Sequence, residues 1–259
     1  MENGSSEYEV GTINNEKRSL ATICIARESP VTIMLNNKEL VTLLCSPTDL
    51  NYLAIGYLSS EGFISHKREI ERVLVDDRNG IVRITTTKGK PIKQFNQYKR
   101  MITSGCGRGV SFYSEADLAT QKIESKIQIS SSYIVKLVKE FQMGSPLYKA
   151  THGVHSAALC DEKQIIIFKE DIGRHNAIDK IFGRCLLEDI ATDDNMVITS
   201  GRISSEIVFK VAKRHTPIII SISAPTDLGV KTAEKLGITL VSSVRGTRMN
   251  VSTNAWRVK

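Results

Sequence analysis

Between residues 154 and 244, short apolar runs alternate with longer stretches of helical period, and few folds satisfy that alternation. The runs 154–159, 164–168, 196–199, 217–222 and 239–244 hold four to six residues each, too short for buried helices. The stretches 174–187, 204–214 and 227–236 keep apolar residues at helical spacing. Strand and helix in turn predict a largely parallel sheet covered by helices on both faces.

The preceding half follows a different pattern. Short β runs at 20–26 and 31–35 lead through Asn36-Asn37, a hairpin turn, to a third run at 39–44. Ser46-Pro47-Thr48-Asp49 has the form of a capping box with Pro at N1. It opens a helix through Leu50, Leu53, Ala54, Tyr57 and Leu58 that Gly62 ends. Strands at 71–75 and 81–87 follow across Asp77-Arg78-Asn79-Gly80, then helices at 114–123 and 131–141, the latter broken by Gly144-Ser145-Pro146. Residues 1–18 offer little to bury and read as a flexible tail. The expected organisation is therefore this tail, an N-terminal α+β domain over 19–112, a helical connection over 113–145 and an α/β domain over 146–259.

In open α/β sheets, ligands gather at the carboxyl ends of strands, where helix amino termini point. Three segments fall there: Asp171-Ile172-Gly173-Arg174-His175-Asn176, Thr199-Ser200-Gly201-Arg202-Ile203-Ser204 and Ser223-Ala224-Pro225-Thr226-Asp227. Arg245-Gly246-Thr247-Arg248 leaves the last strand with two more guanidiniums. Each segment alone reads as a helix cap; together with the final arginines they suit a pyrophosphate. His175, beside Arg174 at a helix start, is a pocket candidate. His152 and His155 form an H-x-x-H pair, but a strand projects positions three apart to opposite faces, so a hydrogen-bonded core or pocket role is expected. No metal site is expected.

A charge of +7 and a pI near 9.1 call for an anionic partner. With one Trp, seven Phe and no nucleic-acid-binding signature, a phosphate-bearing small molecule fits better than DNA or RNA. The five cysteines, 24, 45, 106, 160 and 185, are odd in number and form no C-x-x-C pair. This argues against a disulfide framework or zinc cage and for a reducing cytoplasm. Neither a signal-peptide core nor an apolar run of about 18 residues is present. Cysteines 24, 45, 160 and 185 lie in apolar contexts and read as buried small hydrophobes.

Cys106 is different. It lies in Thr103-Ser104-Gly105-Cys106-Gly107-Arg108-Gly109-Val110, among three glycines and two residues before an arginine. Glycines at alternate positions predict a loop, and a nearby cation favours the reactive thiolate. A thiol on such an arm suits chemistry in which a group is picked up in one place and delivered in another. A glycine-rich turn or an anion-binding nest remain the alternatives on this stretch alone.

Taken together, the chain resembles the formate dehydrogenase accessory sulfurtransferase family (FdhD) from about Leu20 to Thr253. Besides the cysteine stretch, the segments carrying the resemblance are Ser46-Pro47-Thr48-Asp49-Leu50, Gly56-Tyr57-Leu58 and Glu61-Gly62. Thr151-His152-Gly153-Val154-His155-Ser156-Ala157-Ala158-Leu159 and Asp171-Ile172-Gly173-Arg174-His175-Asn176-Ala177-Ile178-Asp179-Lys180 follow. Ser200-Gly201-Arg202-Ile203-Ser204, Ser223-Ala224-Pro225 and Arg245-Gly246-Thr247-Arg248-Met249-Asn250-Val251 complete the series.

The resemblance implies an α/β fold whose C-terminal part is a three-layer cytidine-deaminase-like domain, beside the smaller N-terminal α+β domain. It does not imply deamination, since Asn176-Ala177 follows His175 and no P-C-x-x-C occurs. It implies a cytoplasmic sulfurtransferase that takes sulfur from a cysteine desulfurase as a Cys106 persulfide. The sulfur passes to molybdenum bis(molybdopterin guanine dinucleotide) before that cofactor enters formate dehydrogenase. The segment Val244, Arg245, Gly246, Thr247, Arg248 and Met249 would contact the cofactor, with Arg174, His175, Arg202 and Pro225 nearby. A homodimer is implied, with no nucleic acid, membrane or catalytic metal.

The family's loop has a C-G-x-C-G form, and here Gly109 stands where the second cysteine would be. A single-thiol persulfide relay suffices chemically, without a disulfide step between neighbours. A cofactor chaperone that transfers no sulfur is the alternative; a regulator sensing a guanine nucleotide in the same pocket is a third reading.

Overall fold

The computed structural model describes residues 4–87, 99–102, 110–113 and 121–259. Two strands, β1 (Ser5–Asn14) and β2 (Lys17–Ala26), form an antiparallel ribbon of their own. The expected tail at 1–18 is thus corrected: residues 5–14 are held by a continuous ladder to β2, not by burial. Its turn places Asn15 and Glu16 at positive φ, the geometry that matches strand twist.

A four-stranded sheet follows, in the order β4-β3-β6-β5, built from β3 (Ser29–Leu35), β4 (Lys38–Cys45), β5 (Ile70–Asp76) and β6 (Ile81–Thr86). Asn36 and Asn37 make the expected turn, both at positive φ. Helix α1 (Leu50–Ser60) packs on this sheet through Leu53, Ala54 and Leu58, against Val31, Ile33, Val82 and Ile84. Gly62, at φ 79, ends it as expected. Its start does not follow the capping box: Asp49 is the N-cap, at φ 54, and makes no side-chain cap bond. The Ser46 hydroxyl instead accepts from the Ile172 N–H, and Asp49 accepts from Lys169 at 2.6 Å. Long-range partners have displaced the local ones.

Strands β7 (Lys99–Ile102) and β8 (Val110–Tyr113) pair antiparallel and flank the cysteine stretch. Residues 103–109, with Cys106, lie outside the described residues, as do 114–120 of the helix expected at 114–123; residues 121–123 are not helical. Helix α2 (Ser131–Met143) is capped by the Ser130 hydroxyl, and a short α3 (Pro146–Thr151) begins where the helix-breaking Gly-Ser-Pro was read.

The remaining chain forms β9 (His155–Cys160), β10 (Ile165–Asp171), α4 (Arg174–Leu187), β11 (Met196–Thr199), α5 (Ser205–Ala212), β12 (Ile218–Ser221), α6 (Asp227–Leu236), β13 (Thr239–Arg245) and β14 (Arg248–Val251). The sheet order is β10-β9-β11-β12-β13-β14. It is mixed, which corrects the largely parallel expectation: β11-β12 and β12-β13 pair parallel, while β9 and β14 run opposite to their neighbours. The few residues between β9 and β10, and between β13 and β14, are too short for a crossover and allow only hairpins.

Alternation along the strands serves two helical layers. Ala157, Leu159, Val197, Ile219 and Leu240 pack beneath α4, α5 and α6. Ala158, Cys160, Ile198, Ile220 and Val241 face α2, whose Ile134, Leu137, Val138 and Phe141 cover them. The two halves meet where α1 crosses α4. A Cβ on Gly56 would fall 1.8 Å from the Asp179 carbonyl oxygen, and one on Gly183 1.8 Å from that of Tyr52. Only glycine lets these backbones approach so closely. Beside this crossing, Asp179 is bound by Lys210 at 2.7 Å and by the Ser60 hydroxyl at 2.7 Å, tying α1, α4 and α5 together.

Candidate functional site

Strands β10, β11, β12 and β13 point one way, so their carboxyl ends share one sheet edge with the amino ends of β9 and β14. All three strand-end segments singled out in the sequence meet there, laced by backbone bonds. The Ser221 hydroxyl donates to the Gly201 carbonyl at 2.8 Å and accepts from the Ser223 N–H at 2.9 Å. Ile203 N–H donates to the Ala224 carbonyl, and Ile203 and Pro225 form an isolated bridge. Ser243 N–H donates to the Ser223 carbonyl at 3.0 Å. Arg174 packs on Gly201, where an added Cβ would lie 2.8 Å from the arginine's own.

The proposed contact residues do not all present side chains. Arg202, Arg245, Gly246, Thr247 and Arg248 are exposed, the last four at the turn between β13 and β14. Val244 is buried in the core under α2 and offers a ligand its backbone only, while the half-buried Met249 packs against that core. Pro225 is half-buried in its bridge to Ile203.

His175 and Glu206 face each other at 3.4 Å, both largely buried. Burial, then Lys210, Arg174 and His155, push the His175 imidazole down to about 3, so it is neutral at physiological pH. Burial likewise raises the Glu206 carboxyl. Among the described residues, neither His175 Nε2 nor Glu206 Oε2 has a hydrogen-bond partner, and the Ser204 hydroxyl also lacks one. Sequence reading missed Glu206. Its only signal is an acidic residue in the first turn of a helix that starts at the ligand edge.

A cavity of about 530 Å³ opens beside this edge. Its apolar walls are Phe141, Val154, Ile172 and Ile222; its polar lining is Ser145, Tyr148, His152, His155, Ser156 and Ser200. His152 lies at the end of α3 rather than on the strand, in the left-handed region, so both histidines line the cavity and do not project to opposite faces. His155 Nδ1 lies 3.2 Å from the Ser200 hydroxyl, and burial, then Arg174, lower its basicity. The lining holds no Asp, Glu, Lys or Arg and suits a flat polar ring, while the adjacent guanidiniums suit phosphate. Among the described residues, no group of three or more His, Cys, Asp or Glu is placed to hold a metal, and no helix is long and apolar enough to cross a membrane.

Of the described cysteines, Cys45, Cys160 and Cys185 are buried as expected, and burial pushes each thiol up to about 12. Cys24 departs from expectation: it is only half-buried, on β2 of the outlying ribbon.

The FdhD/NarQ family model matches residues 26–259. The sulfur carrier protein FdhD of Bacillus subtilis (strain 168) is 41% identical over 253 residues, covering 97% of this chain and 95% of its own. That of Bacillus pumilus is 43% identical over 235 residues, covering 90% of each. A crystal structure from Desulfotalea psychrophila, assigned as a formate dehydrogenase accessory protein, superposes with a TM-score of 0.83 at 27% identity, over 99% of this chain and 100% of that one.

Proposed function

The chain belongs to the FdhD/NarQ family, and from that premise we propose that it is a sulfur carrier required for formate dehydrogenase activity, with Cys106 as the persulfide-bearing thiol. The observation that supports the assignment of the thiol is that burial narrows the five cysteines to Cys106 and the half-buried Cys24. Three of the other four cysteines are buried, with thiols pushed up to about 12, and cannot act as nucleophiles near neutrality. The fourth, Cys24, lies on the ribbon of β1 and β2. Cys106 has the glycines and the cation, Arg108, that favour an accessible thiolate.

The protein acts as a sulfurtransferase. A cysteine desulfurase loads Cys106, and the outer sulfur passes to molybdenum bis(molybdopterin guanine dinucleotide), the substrate, before that cofactor enters formate dehydrogenase. The laced edge supports this reading: Arg174, Arg202, Arg245 and Arg248 with His175, Pro225 and the 244–249 backbone hold phosphates and sugar. The cavity, lined without Asp, Glu, Lys or Arg, takes a flat ring. Helices on both faces of a mixed sheet are consistent with a cytidine-deaminase-like scaffold that retains a nucleotide pocket. The protein works in the cytoplasm, as a homodimer.

Gly109 in place of a second loop cysteine favours one rival, a chaperone that binds the cofactor without transferring sulfur. Complementation separates the two. In a strain lacking the protein, Cys106→Ala should leave formate dehydrogenase inactive; restored activity would establish the chaperone.

A further inference from the structure

We propose that the β1–β2 ribbon is an arm that docks on a second copy of this chain. The inference rests on the homodimer reading above and assigns its contact. Ten consecutive residue pairs, from Ser5↔Ala26 to Asn14↔Lys17, make a ribbon roughly 34 Å long. Its root lies on α3: Gly4 sits against Leu147, and Ala26 against Gly153. Beyond the root, large apolar side chains stand in solvent on both faces. Tyr8 and Ile23 pair on one face; Ile13 is 66% exposed and Leu20 71% exposed on the other. An isolated two-stranded ribbon is marginal in water, and this one presents apolar surface that nothing among the described residues covers.

Charge favours a second copy as the occupant. Residues 5–26 carry Glu7, Glu9 and Glu16 against Lys17 and Arg18, a net −1; with the chain at +7, the remainder carries +8. A mildly acidic arm therefore meets a basic body when it reaches across to another copy. Size agrees: the two faces of two reciprocally exchanged arms amount to roughly 1,400 Å² of arm surface, in the range a stable dimer buries. The contact starts beside the cavity, since Gly153, which Ala26 touches, is part of its lining.

The test is sedimentation velocity on the full chain, comparing the wild type with the Ile13→Lys/Leu20→Lys double variant and with Ile23→Lys. The side chains changed are exposed, so circular dichroism should be unaltered. A wild-type dimer with a dissociation constant raised at least a hundredfold in the double variant is expected. A benzophenone amino acid at position 20, in mixed heavy- and light-isotope protein, should cross-link to the other chain. A dimer that the variants leave equally tight, with cross-links only within one chain, would overturn the arm while sparing the dimer. A monomeric wild type would overturn both. Sulfur loading of Cys106 enters neither readout, so the carrier reading is judged separately.

Discussion

Ser243 donates its backbone N–H to the Ser223 carbonyl oxygen at 3.0 Å while holding φ at 53°, inside strand β13. The ladder to β14 shifts register between Ser242 and Arg245, so Ser243 and Val244 form a bulge just before the exposed arginines. A residue without glycine's freedom keeps this conformation only if its surroundings fix it. Ser243→Val should therefore cost about 1–2 kcal/mol of stability and weaken binding of a guanine nucleotide, whereas Ser243→Gly should preserve both. Thermal melts and isothermal titration with GDP check this; equal behaviour of the two variants would contradict it.

The arginines at the β13–β14 turn are exposed, so their removal should leave the melting temperature within error. Arg245→Ala and Arg248→Ala should each weaken GDP by about 1.4 kcal/mol, tenfold, if they bind phosphate through charge-assisted bonds. Unchanged titration curves for both would remove them from the site.

Lys180 and Asp171 pair at 2.7 Å with neither side chain exposed. Around them the Lys180 ammonium reaches the Ser46 and Glu170 carbonyls, while Asp171 accepts from the Ser46 N–H, the Gly173 N–H and the Asn176 side chain. Breaking a buried pair from one side strands a charge. Lys180→Met should cost about 3–5 kcal/mol in urea unfolding. A loss under about 1 kcal/mol would mean the pair is readily replaced.

Acid sensitivity follows from His175. Unfolded, an imidazole titrates near 6.5; folded, it is held down to about 3. Between these values the unfolded chain binds more protons, so His175's contribution is full above about pH 6.5 and falls as pH drops toward 3. The raised Glu206 carboxyl acts in the opposite sense, above the ordinary carboxylate range. Wild type should therefore lose more stability from pH 7 to pH 5 than His175→Gln. Equal losses in paired denaturation curves would contradict the neutral, buried imidazole.

The parts legible in the sequence were those set by local chemistry. Helix α6 runs over the expected residues because Thr226 caps its start and Gly237, at φ 71, ends it. Asn36-Asn37 turns as read for the same kind of reason. Where distant partners decide, the reading failed. Ser46 looked like a cap but is bound to Asp171 and Ile172, more than a hundred residues away. The ribbon strand β1 buries little and so gave no hydrophobic signal. The Gly56–Gly183 crossing depends on two helices meeting, which neither helix announces. At the site, the three strand-end segments were identifiable from alternation alone. His152 and His155 line the cavity, in keeping with the pocket role expected of them, but not on opposite faces, because α3 turns His152 out of the strand.

The central claim is that Cys106 carries sulfur. Intact-mass spectrometry, under non-reducing conditions after incubation with a cysteine desulfurase and cysteine, tests it most directly. The account predicts added sulfur on the wild type, none on Cys106→Ala, and its discharge when the molybdenum cofactor is supplied. A protein that binds the cofactor yet gains no sulfur from an active donor would contradict it.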